Sequence, residues 1–429
     1  MALIGTEIEY GISTPGEAAP LDPGWASERV VAAVSGLFPG RLDRFLGNGA
    51  RVYVDHGHPE YSGPECPSAR DVLIWERAGD RLMGEAAARA GAALGREVVL
   101  HRNNTDGKGR SYGYHENHLV DRSVPWESIT AVLTGHLVSR VVLAGAGRVG
   151  WGQQGGEPKF QLSQRADFME ALVGLETTIR RPLVNTRDEP HADQSRWRRL
   201  HLITGDATHA QIGTLVKVGA TALVLAAIAA GKGEGVSRLA DPLAAMRAFS
   251  RDTTLTMAQP CTDGTSRTAL DLQRQYWQLA SDHADSLADG EQVLQLWDEL
   301  ITDASQDPTL LADRVDWAAK LALIQAMQSR HGWGWDDAQV AALDLQWHEL
   351  DPHRGVAAKL EAAGRLRTLL DPAEVDDAMT TAPPTRARRR AQLLVNHEPQ
   401  VAAVDWSKVG LSTADGVQWQ LLPDPLTSA

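Results

Sequence analysis

The sequence contains few cysteines and no long run of apolar residues. Cys66 and Cys261 are the only cysteines among 429 residues, and they lack metal-site spacing, so neither a disulfide framework nor a cysteine-bound zinc is expected. The longest apolar stretch, roughly 218–230, is shorter than the ~20 residues that a membrane-spanning helix needs. No basic segment precedes Glu7, which argues against a signal peptide. These absences predict a protein of the reducing cytoplasm that has no membrane anchor.

Positive charge is also scarce. The 42 Lys and Arg residues face 55 Asp and Glu, giving a net charge of -13, which disfavours nonspecific attraction to nucleic acid or to an anionic membrane. A local basic groove can still lie on an acidic protein. Hydrophobic residues at 43% and charged residues at 23% are ordinary globular values. The oligomeric state is not encoded in these numbers, and a monomer is the simplest expectation.

The N-terminal residues alternate between apolar and charged in a way typical of a strand. Glu7 and Glu9 share one face, and the isoleucines around them share the other. A second strand at 51–55 puts Tyr53 and Asp55 on one face and two valines on the opposite one. Two strands that each carry acidic residues on one face are therefore predicted near the N-terminus.

The rest of the chain mixes helix and strand signals. A helix is predicted at 69–95, followed by a hairpin of strands at 97–103 and 111–119 with a glycine-rich turn at 106–109. Residues 210–370 show mainly helical spacing of Trp and Leu. These patterns predict an α+β fold, with a mostly antiparallel sheet backed by helices.

The chain is long enough for two domains. A Pro- and Arg-rich segment at 373–390 precedes a short strand-like tail. We therefore expect a catalytic domain at 1–364 and a small C-terminal domain at 365–429.

Carboxylates accumulate on the predicted strands, at Glu7, Glu9, Asp55, Glu60 and Glu116. Acidic side chains on one strand face repel each other unless a cation lies among them, and Mg²⁺ prefers hard oxygen ligands. The other interpretation is a solvated, exposed sheet face, which for Glu7 and Glu9 alone is equally reasonable.

Histidines lie beside these acids. His56 and His58 could bind zinc with Glu60 or Glu116, and two further candidates are His115 and His118. No HExxH pattern or partnered cysteine supports zinc. The preferred interpretation is that His56 and His58 form hydrogen bonds to loop backbone and position the acids.

Arginines recur in the middle of the chain. They occur at Arg180, Arg181 and Arg187 and again at 196–199. Guanidinium groups bind both phosphates and carboxylates, so these residues could hold a nucleotide or an acidic substrate. Alternatively, they are ordinary surface charges.

Several motifs together resemble the ligase of the prokaryotic ubiquitin-like modifier Pup and its relative, the deamidase and depupylase of Pup. They are GTEIEYG at 5–11, NGARVYVD at 48–55, HPEY at 58–61, NNTD at 103–106, SYGYHEN at 111–117, NTRDEPHAD at 185–193, RRLH at 198–201, LDLQ at 343–346 and PPTRA at 383–387. The likeness covers nearly the whole chain.

The resemblance implies a glutamine-synthetase-like sheet cradle that holds ATP, or ADP plus phosphate, together with Mg²⁺. By position it implies that Asp55 is the catalytic aspartate. The further residues it implies are Glu7, Tyr53 and Glu60 at the metal site, Glu9 and Glu116 near the metals, Arg198, Arg199, His201 and Trp406 at the nucleotide, and Arg187 and His191 at the substrate.

The same resemblance bears on the direction of the reaction. The spacing from Asp55 to His58, and the sequences at 147–150 and 174–178, are similar to the hydrolase, whereas the short connection 12–47 is similar to the ligase. The resemblance therefore implies removal of Pup from pupylated proteins, or deamidation of Pup. The alternatives are ligation, or a non-catalytic Pup-binding or nucleotide-sensing role. Thr208 and Gln211, where the family has Asn and usually Glu, motivate that last alternative.

Overall fold

The computed structural model describes residues 2–16, 21–35 and 43–427. The strands are β1 (Ile4–Glu9), β2 (Gly11–Ser13), β3 (Asp43–Phe45), β4 (Arg51–Asp55), β5 (His58–Ser62), β6 (Val99–His101), β7 (Tyr114–Asp121), β8 (Arg148–Trp151), β9 (Glu157–Gln161), β10 (Ala171–Gly174), β11 (Pro182–Asn185), β12 (Trp197–Leu202), β13 (Gln259–Pro260), β14 (Ser266–Arg267), β15 (Val401–Asp405), β16 (Lys408–Thr413) and β17 (Gly416–Leu421).

The α-helices are α1 (Pro23–Ala33), α2 (Ala69–Leu94), α3 (Trp126–Ser139), α4 (Val141–Ala144), α5 (Gln211–Ala229), α6 (Pro242–Arg251), α7 (Ala269–Ala280), α8 (Gly290–Gln306), α9 (Asp316–His331), α10 (Ala338–Trp347), α11 (Val356–Ala362), α12 (Pro372–Ala378) and α13 (Arg386–Asn396). Short 3₁₀ helices lie at Ala166–Phe168, Ser281–Ser286, Pro308–Leu311 and Glu398–Gln400.

One sheet of eight strands organises the molecule, in the order β10-β11-β12-β7-β1-β5-β4-β3. Neighbouring strands are antiparallel except for β10 and β11, which are parallel. Sheet and helices together agree with the predicted α+β class. The parallel pair at one edge was not expected from the sequence.

The two faces of this sheet differ in chemistry. On β1, Ile4 and Ile8 are fully buried and pack with residues of the helices, including Met83 of α2. Because successive side chains of a strand point to opposite faces, Glu7 and Glu9 face the other way. We call this second face, which carries Glu7 and Glu9, the cradle face.

The helix α2 shows why the helical predictions held. The Ser68 side chain accepts a hydrogen bond from the Asp71 N–H at its start, and Gly95 adopts φ 62° at its end. A serine N-cap and a left-handed glycine satisfy the free backbone groups at the two ends of a helix. The helix predicted at 69–95 is confirmed.

The hairpin predicted between 97–103 and 111–119 is wrong. The strand β6 pairs with β2, whereas β7 lies between β1 and β12 in the large sheet. In the described part of the chain, the backbone pairing between these segments is limited to the isolated bridge between Thr105 and Ser111. The glycine-rich turn therefore belongs to a loop that leads into the central strand of the sheet.

The helix α5 passes through the centre of the protein. It is long and apolar enough to cross a membrane by length and composition, and 89% of its most apolar window is buried inside the protein. Its apolar side chains belong to the main core, which accounts for their hydrophobicity.

The tail forms a small unit at the β3 edge of the large sheet. The strands β15, β16 and β17 make a three-stranded sheet, and Val409 and Leu411 pack with Leu394 of α13 and Phe45 of β3. Val375 of α12, in contrast, belongs to the main core. The predicted boundary at residue 365 is therefore early, since α12 packs with the large unit.

Candidate active site

Three carboxylates meet on the cradle face. Glu9 on β1 is paired in register with Glu60 on β5, which is also paired with Tyr53 on β4. Ligand oxygens of Glu9, Asp55 and Glu60 all lie within 4.8 Å of one another. The Tyr53 hydroxyl donates to Glu60 Oε1 at 2.5 Å. Strand alternation and antiparallel register thus assemble four of the residues predicted from the sequence.

This acidic group fits a divalent cation. Burial raises the pKa of Glu60 well above its usual value, and the charges of Glu7 and Glu9 raise it further. Among the residues that the structure describes, no Lys or Arg forms an ion pair with Glu9 or Glu60. Buried carboxylates without a counter-charge are costly, and an ion with oxygen ligands such as Mg²⁺ would remove that cost.

A second group lies beside the first on the same face. Glu7 lies with His115 of β7 and His201 of β12, and their ligand atoms are also within 4.8 Å of one another. Asn117 links them, because its Nδ2 donates to Glu7 Oε1 at 2.8 Å and its Oδ1 lies 2.8 Å from His201 Nδ1. Nitrogen and oxygen ligands together suit a second divalent cation.

Electrostatics favour an ionised Glu7. Burial alone would raise the pKa of Glu7, but a hydrogen bond from His115 and neighbouring positive charges bring it below its usual value. Burial lowers the pKa of His201 to about 3, so this imidazole is neutral at pH 7. Arg199, whose Nη1 is 3.8 Å from Glu7 Oε1, therefore supplies the positive charge at neutral pH.

Asp55 is the most accessible carboxylate of the first group, with 37% of its side chain exposed. It ends β4, where His56 (φ 45°) and Gly57 (φ 88°) turn the chain into β5. His56 Nδ1 lies 2.7 Å from Asp55 Oδ2, and His58 Nδ1 lies 3.0 Å from the Tyr10 carbonyl oxygen. His58 thus bonds to backbone and His56 to the Asp55 carboxylate. Both contacts agree with the interpretation preferred from the sequence.

A pocket of about 100 Å³ opens at the other end of the cradle, along the first half of β1. Its lining includes Glu7, His191, Arg199, Arg386 and Trp406. An aromatic ring and arginine side chains beside a metal group are suited to a nucleotide base and its phosphates. Of the predicted nucleotide residues, Arg199 and Trp406 line this pocket. His191, predicted at the substrate, lies here instead.

A buried acid holds the tail against this pocket. Glu65 Oε1 accepts from Arg386 Nη2 at 2.7 Å, and Glu65 Oε2 accepts from Arg390 Nη2 at 2.9 Å. The guanidinium of Arg390 also donates to the carbonyl oxygens of Gly49 and Trp406. We call Glu65, Arg386 and Arg390 the tail clamp. Burial opposes ionisation, but the two arginines lower the pKa of Glu65 to about 2.

Two predicted site residues lie on the wrong face. Glu116 is fully buried on the helix side, where it accepts from Arg140 Nη2 at 2.6 Å and Nη1 at 3.0 Å. Arg198 also points away from the cradle and donates to the Val124 carbonyl oxygen at 2.6 Å. The metal role of Glu116 and the nucleotide role of Arg198 are therefore wrong, because each side chain lies one residue out of phase with the cradle face.

One predicted residue lies outside the site, and three residues of the site were not predicted from the sequence. Arg187 is 51% exposed and pairs with Glu189, outside both metal groups and the pocket lining. Asn117 and Arg386 could have been predicted, because they lie inside the motifs SYGYHEN and PPTRA. Glu65 follows HPEY by four positions and carried no signal, since its role depends on a distant segment.

The two departures from the family pattern lie behind the sheet. Thr208 Oγ1 lies 2.8 Å from Thr214 Oγ1 and accepts from Lys217 Nζ at 3.1 Å. Gln211 Nε2 donates to Glu361 Oε1 at 2.8 Å, and its Oε1 accepts from the N–H groups of residues 369 and 370. Both are buried among helices, and neither reaches the cradle.

The large sheet, its two groups of acidic residues and the adjoining pocket form one candidate site. The family described as Pup-ligase protein matches residues 2–410. The depupylase of Acidothermus cellulolyticus is 43% identical over 86% of this chain and 75% of its own. The Pup–protein ligase of Micrococcus luteus is 39% identical over 96% of this chain and 92% of its own. The chain belongs to the Pup-ligase family.

Solved structures agree with this membership. The complex of Pup with its ligase PafA superposes with a TM-score of 0.91, at 32% identity, over 100% of this chain and 90% of that one. A structure of the ligase with ADP gives 0.82 at 33% identity, over 94% and 90% of the two chains.

Proposed function

We propose that this protein is a nucleotide- and magnesium-dependent depupylase, which hydrolyses the isopeptide bond between Pup and a target lysine and deamidates the C-terminal glutamine of Pup. The observation that carries the proposal is the position of Asp55, a partly exposed carboxylate within 4.8 Å of two buried glutamates. The identity to a named depupylase supports it.

Different residues along the cradle would bind the cations and the nucleotide. Glu9 and Glu60 would hold one divalent cation, and Glu7 with His115 and His201 a second. Bound there, such cations neutralise negative charge that develops on the reacting carbonyl oxygen. Arg199 and Trp406 would hold the nucleotide in the pocket, as a retained cofactor.

Asp55 can act in one of two ways, and both routes give the same products. As a nucleophile its oxygen bonds to the amide carbonyl carbon, the C–N bond breaks, and the departing amine takes a proton. Water then cleaves the acyl–aspartate anhydride. Alternatively, Asp55 orients a water molecule that attacks directly. His56, bound to Asp55 Oδ2, fixes the carboxylate in either case.

The test is a comparison of wild type with Asp55→Asn. We expect the variant to lose at least a thousandfold in cleavage of a Pup-modified protein, while ADP binding stays unchanged, because Asp55 does not line the nucleotide pocket. Cleavage at the wild-type rate would refute the assignment. A single turnover in H₂¹⁸O, followed by mass spectrometry of the peptide with Asp55, establishes the nucleophilic role if label enters Asp55, because only attack of water on the Asp55 carbonyl carbon of the anhydride places it there.

Ligation remains the second candidate, on two observations. The structural match to a ligase covers the entire chain, and the connection 12–47, of which 17–20 and 36–42 lie outside the described residues, is short. Incubation with glutamate-ended Pup, target and ATP-Mg²⁺ distinguishes the directions, since a ligase forms a new conjugate and a depupylase does not. Because Thr208 and Gln211 lie behind the sheet, they offer no support for a non-catalytic role.

A further inference from the structure

Two arginines meet beside the acidic end of the cradle. Arg165 Nη1 lies 3.3 Å from Ser111 Oγ, and Arg181 Nη2 donates to the Ser111 carbonyl oxygen at 3.2 Å. Arg165 is further fixed by its Nε, which donates to the Ile203 carbonyl oxygen at 2.9 Å, and by a bond to the Tyr112 carbonyl oxygen. The two guanidinium groups are therefore neighbours, held by a shared serine.

These two positive charges have no counter-ion of their own. In the described ranges of the chain, no carboxylate lies within ion-pair distance of Arg165 or Arg181. Burial lowers the pKa of Arg165 to about 10, and the charge of Arg181 lowers it further. Burial also lowers the pKa of Arg181. The charge of Glu9 acts on both arginines, but among the described residues no carboxylate contacts either guanidinium. Two arginines placed side by side at a cost in charge repulsion, without a bonded acid, are the arrangement expected of an anion site.

The pair lies close to the reacting carboxylates. The Tyr112 carbonyl that Arg165 holds precedes Gly113, whose Cα lies under Glu9, since a Cβ there would come within 2.6 Å of Glu9 Oε1. The Gly113 carbonyl oxygen also accepts from the Glu9 N–H at 3.1 Å. Only this short stretch of backbone separates the arginines from the group of Glu9 and Asp55.

We infer that Arg181, supported by Arg165, binds the free α-carboxylate of the C-terminal residue of the modifier. This inference rests on the proposed function for the identity of the substrate. A C-terminal glutamine carries two groups: a side-chain amide, which reacts, and an α-carboxylate, which does not. An adjacent cationic site that holds the α-carboxylate gives the substrate one orientation, with its amide towards Asp55.

The two arginines have different tasks. Arg181 is partly exposed and contacts the carboxylate, whereas Arg165, at 1% exposure, is a positioning residue that adds charge and fixes the backbone of 111–113. The backbone of Arg181 is itself fixed, because its carbonyl oxygen accepts from the N–H groups of Glu170 and Ala171. The adjacent Arg180 is exposed and provides a matched control.

The experiment uses two synthetic peptides of the C-terminal segment of Pup, both ending in glutamine, one with a free α-carboxylate and one with an α-carboxamide. Affinity for each is measured by fluorescence anisotropy with the full chain, ADP and Mg²⁺. We expect wild type and Arg180→Gln to prefer the carboxylate about 10- to 100-fold, the range for loss of one charge-assisted contact. Arg181→Gln should bind both peptides equally, with its affinity for the carboxamide unchanged.

Two outcomes overturn the inference: a wild type that does not distinguish the peptides, or an Arg181→Gln variant that keeps the wild-type preference. Arg165→Lys retains a charge but loses the bond to Ser111, and we expect a partial loss of preference with unchanged ADP affinity, which also reports correct folding. Failure of the proposed function is visible separately: a protein that prefers the carboxylate through Arg181 but cleaves no conjugate keeps this inference and loses the depupylase assignment.

Discussion

Two glutamates, Glu60 and Glu116, are almost equally buried but have opposite electrostatic surroundings. Glu60 is 1% exposed and faces other carboxylates, and Glu116 is fully buried and faces Arg140. Burial opposes ionisation of both, but the charge of Arg140 lowers the pKa of Glu116 to about 2. The surroundings of Glu60 raise its pKa and disfavour its ionised form in the absence of a cation, whereas Glu116 is already paired with Arg140.

Matched glutamine substitutions should therefore act in opposite directions. Glu116→Gln leaves Arg140 buried without its partner, and we expect a loss of about 3–5 kcal/mol in the free energy of unfolding. Glu60→Gln removes charge repulsion, so the metal-free variant should be at least as stable as wild type but should lose the stabilisation that Mg²⁺ gives. Urea denaturation with and without Mg²⁺ measures both. A Glu60→Gln protein that Mg²⁺ stabilises as much as wild type would contradict the metal assignment.

At the scale of elements, the start of α5 shows how a departure from the family pattern is accommodated. Gln211 donates to Glu361, which also forms an ion pair with Arg77 of α2 at 2.6 Å. The amide can donate on one side and accept from backbone N–H groups on the other. A carboxylate at 211 could do only the second.

We therefore expect Gln211→Glu to be destabilising by about 1–2 kcal/mol, because it sets two carboxylates against each other behind the sheet. The helix N-terminus offsets a few tenths of this. The double variant Gln211→Glu/Glu361→Gln should recover most of the loss, and cleavage activity should change little in either protein. Thermal denaturation of the four proteins in this cycle measures the coupling. Additive effects would show that the two side chains do not interact.

Strand alternation explains both the success and the failure of the sequence predictions. It correctly placed Glu7 with Glu9, and Tyr53 with Asp55, because apolar neighbours marked the helix side of β1 and β4. On β7 and β12 it failed, since both faces there carry polar residues: His115 on one side and Glu116 on the other. Which side of β7 faces the cradle depends on its pairing with β1, and that partner lies about a hundred residues away in the chain.

At the scale of the whole molecule, the tail clamp ties the C-terminal unit to the large sheet. Its acid is partly shielded, with 14% of the Glu65 side chain exposed, and the side chains of Arg386 and Arg390 are 3% and 0% exposed. Glu65 and Arg386 also form part of the pocket wall. The tail clamp therefore affects both the attachment of the tail and the shape of this pocket.

Acid should weaken this attachment in a defined pH range. The pKa of Glu65 falls from its ordinary 4.5 to about 2 in the folded protein, so its contribution is complete above pH 4.5 and is lost as the pH falls towards 2. This shift corresponds to about 3 kcal/mol. The protection factors of the amides in β15–β17, which are the intrinsic exchange rates divided by the observed rates at each pH, should fall over this range in wild type.

The control for this pH effect is a pair of variants. Glu65→Gln should have low protection factors in β15–β17 already at pH 7, and these should depend little on pH between 5 and 3. Glu85→Gln, at an exposed acid with 54% of its side chain accessible, should behave as wild type. Equal pH dependence in Glu65→Gln and wild type would assign the acid sensitivity to another group.

The pocket is lined by Leu3, near the beginning of the chain, and by Trp406, near its end. A molecule that fills the pocket contacts both residues. Its binding energy therefore also stabilises the attachment of the C-terminal strands. Loss of such a molecule would then loosen the tail more than the two candidate metal groups, since every carboxylate of those groups lies on β1, β4 or β5.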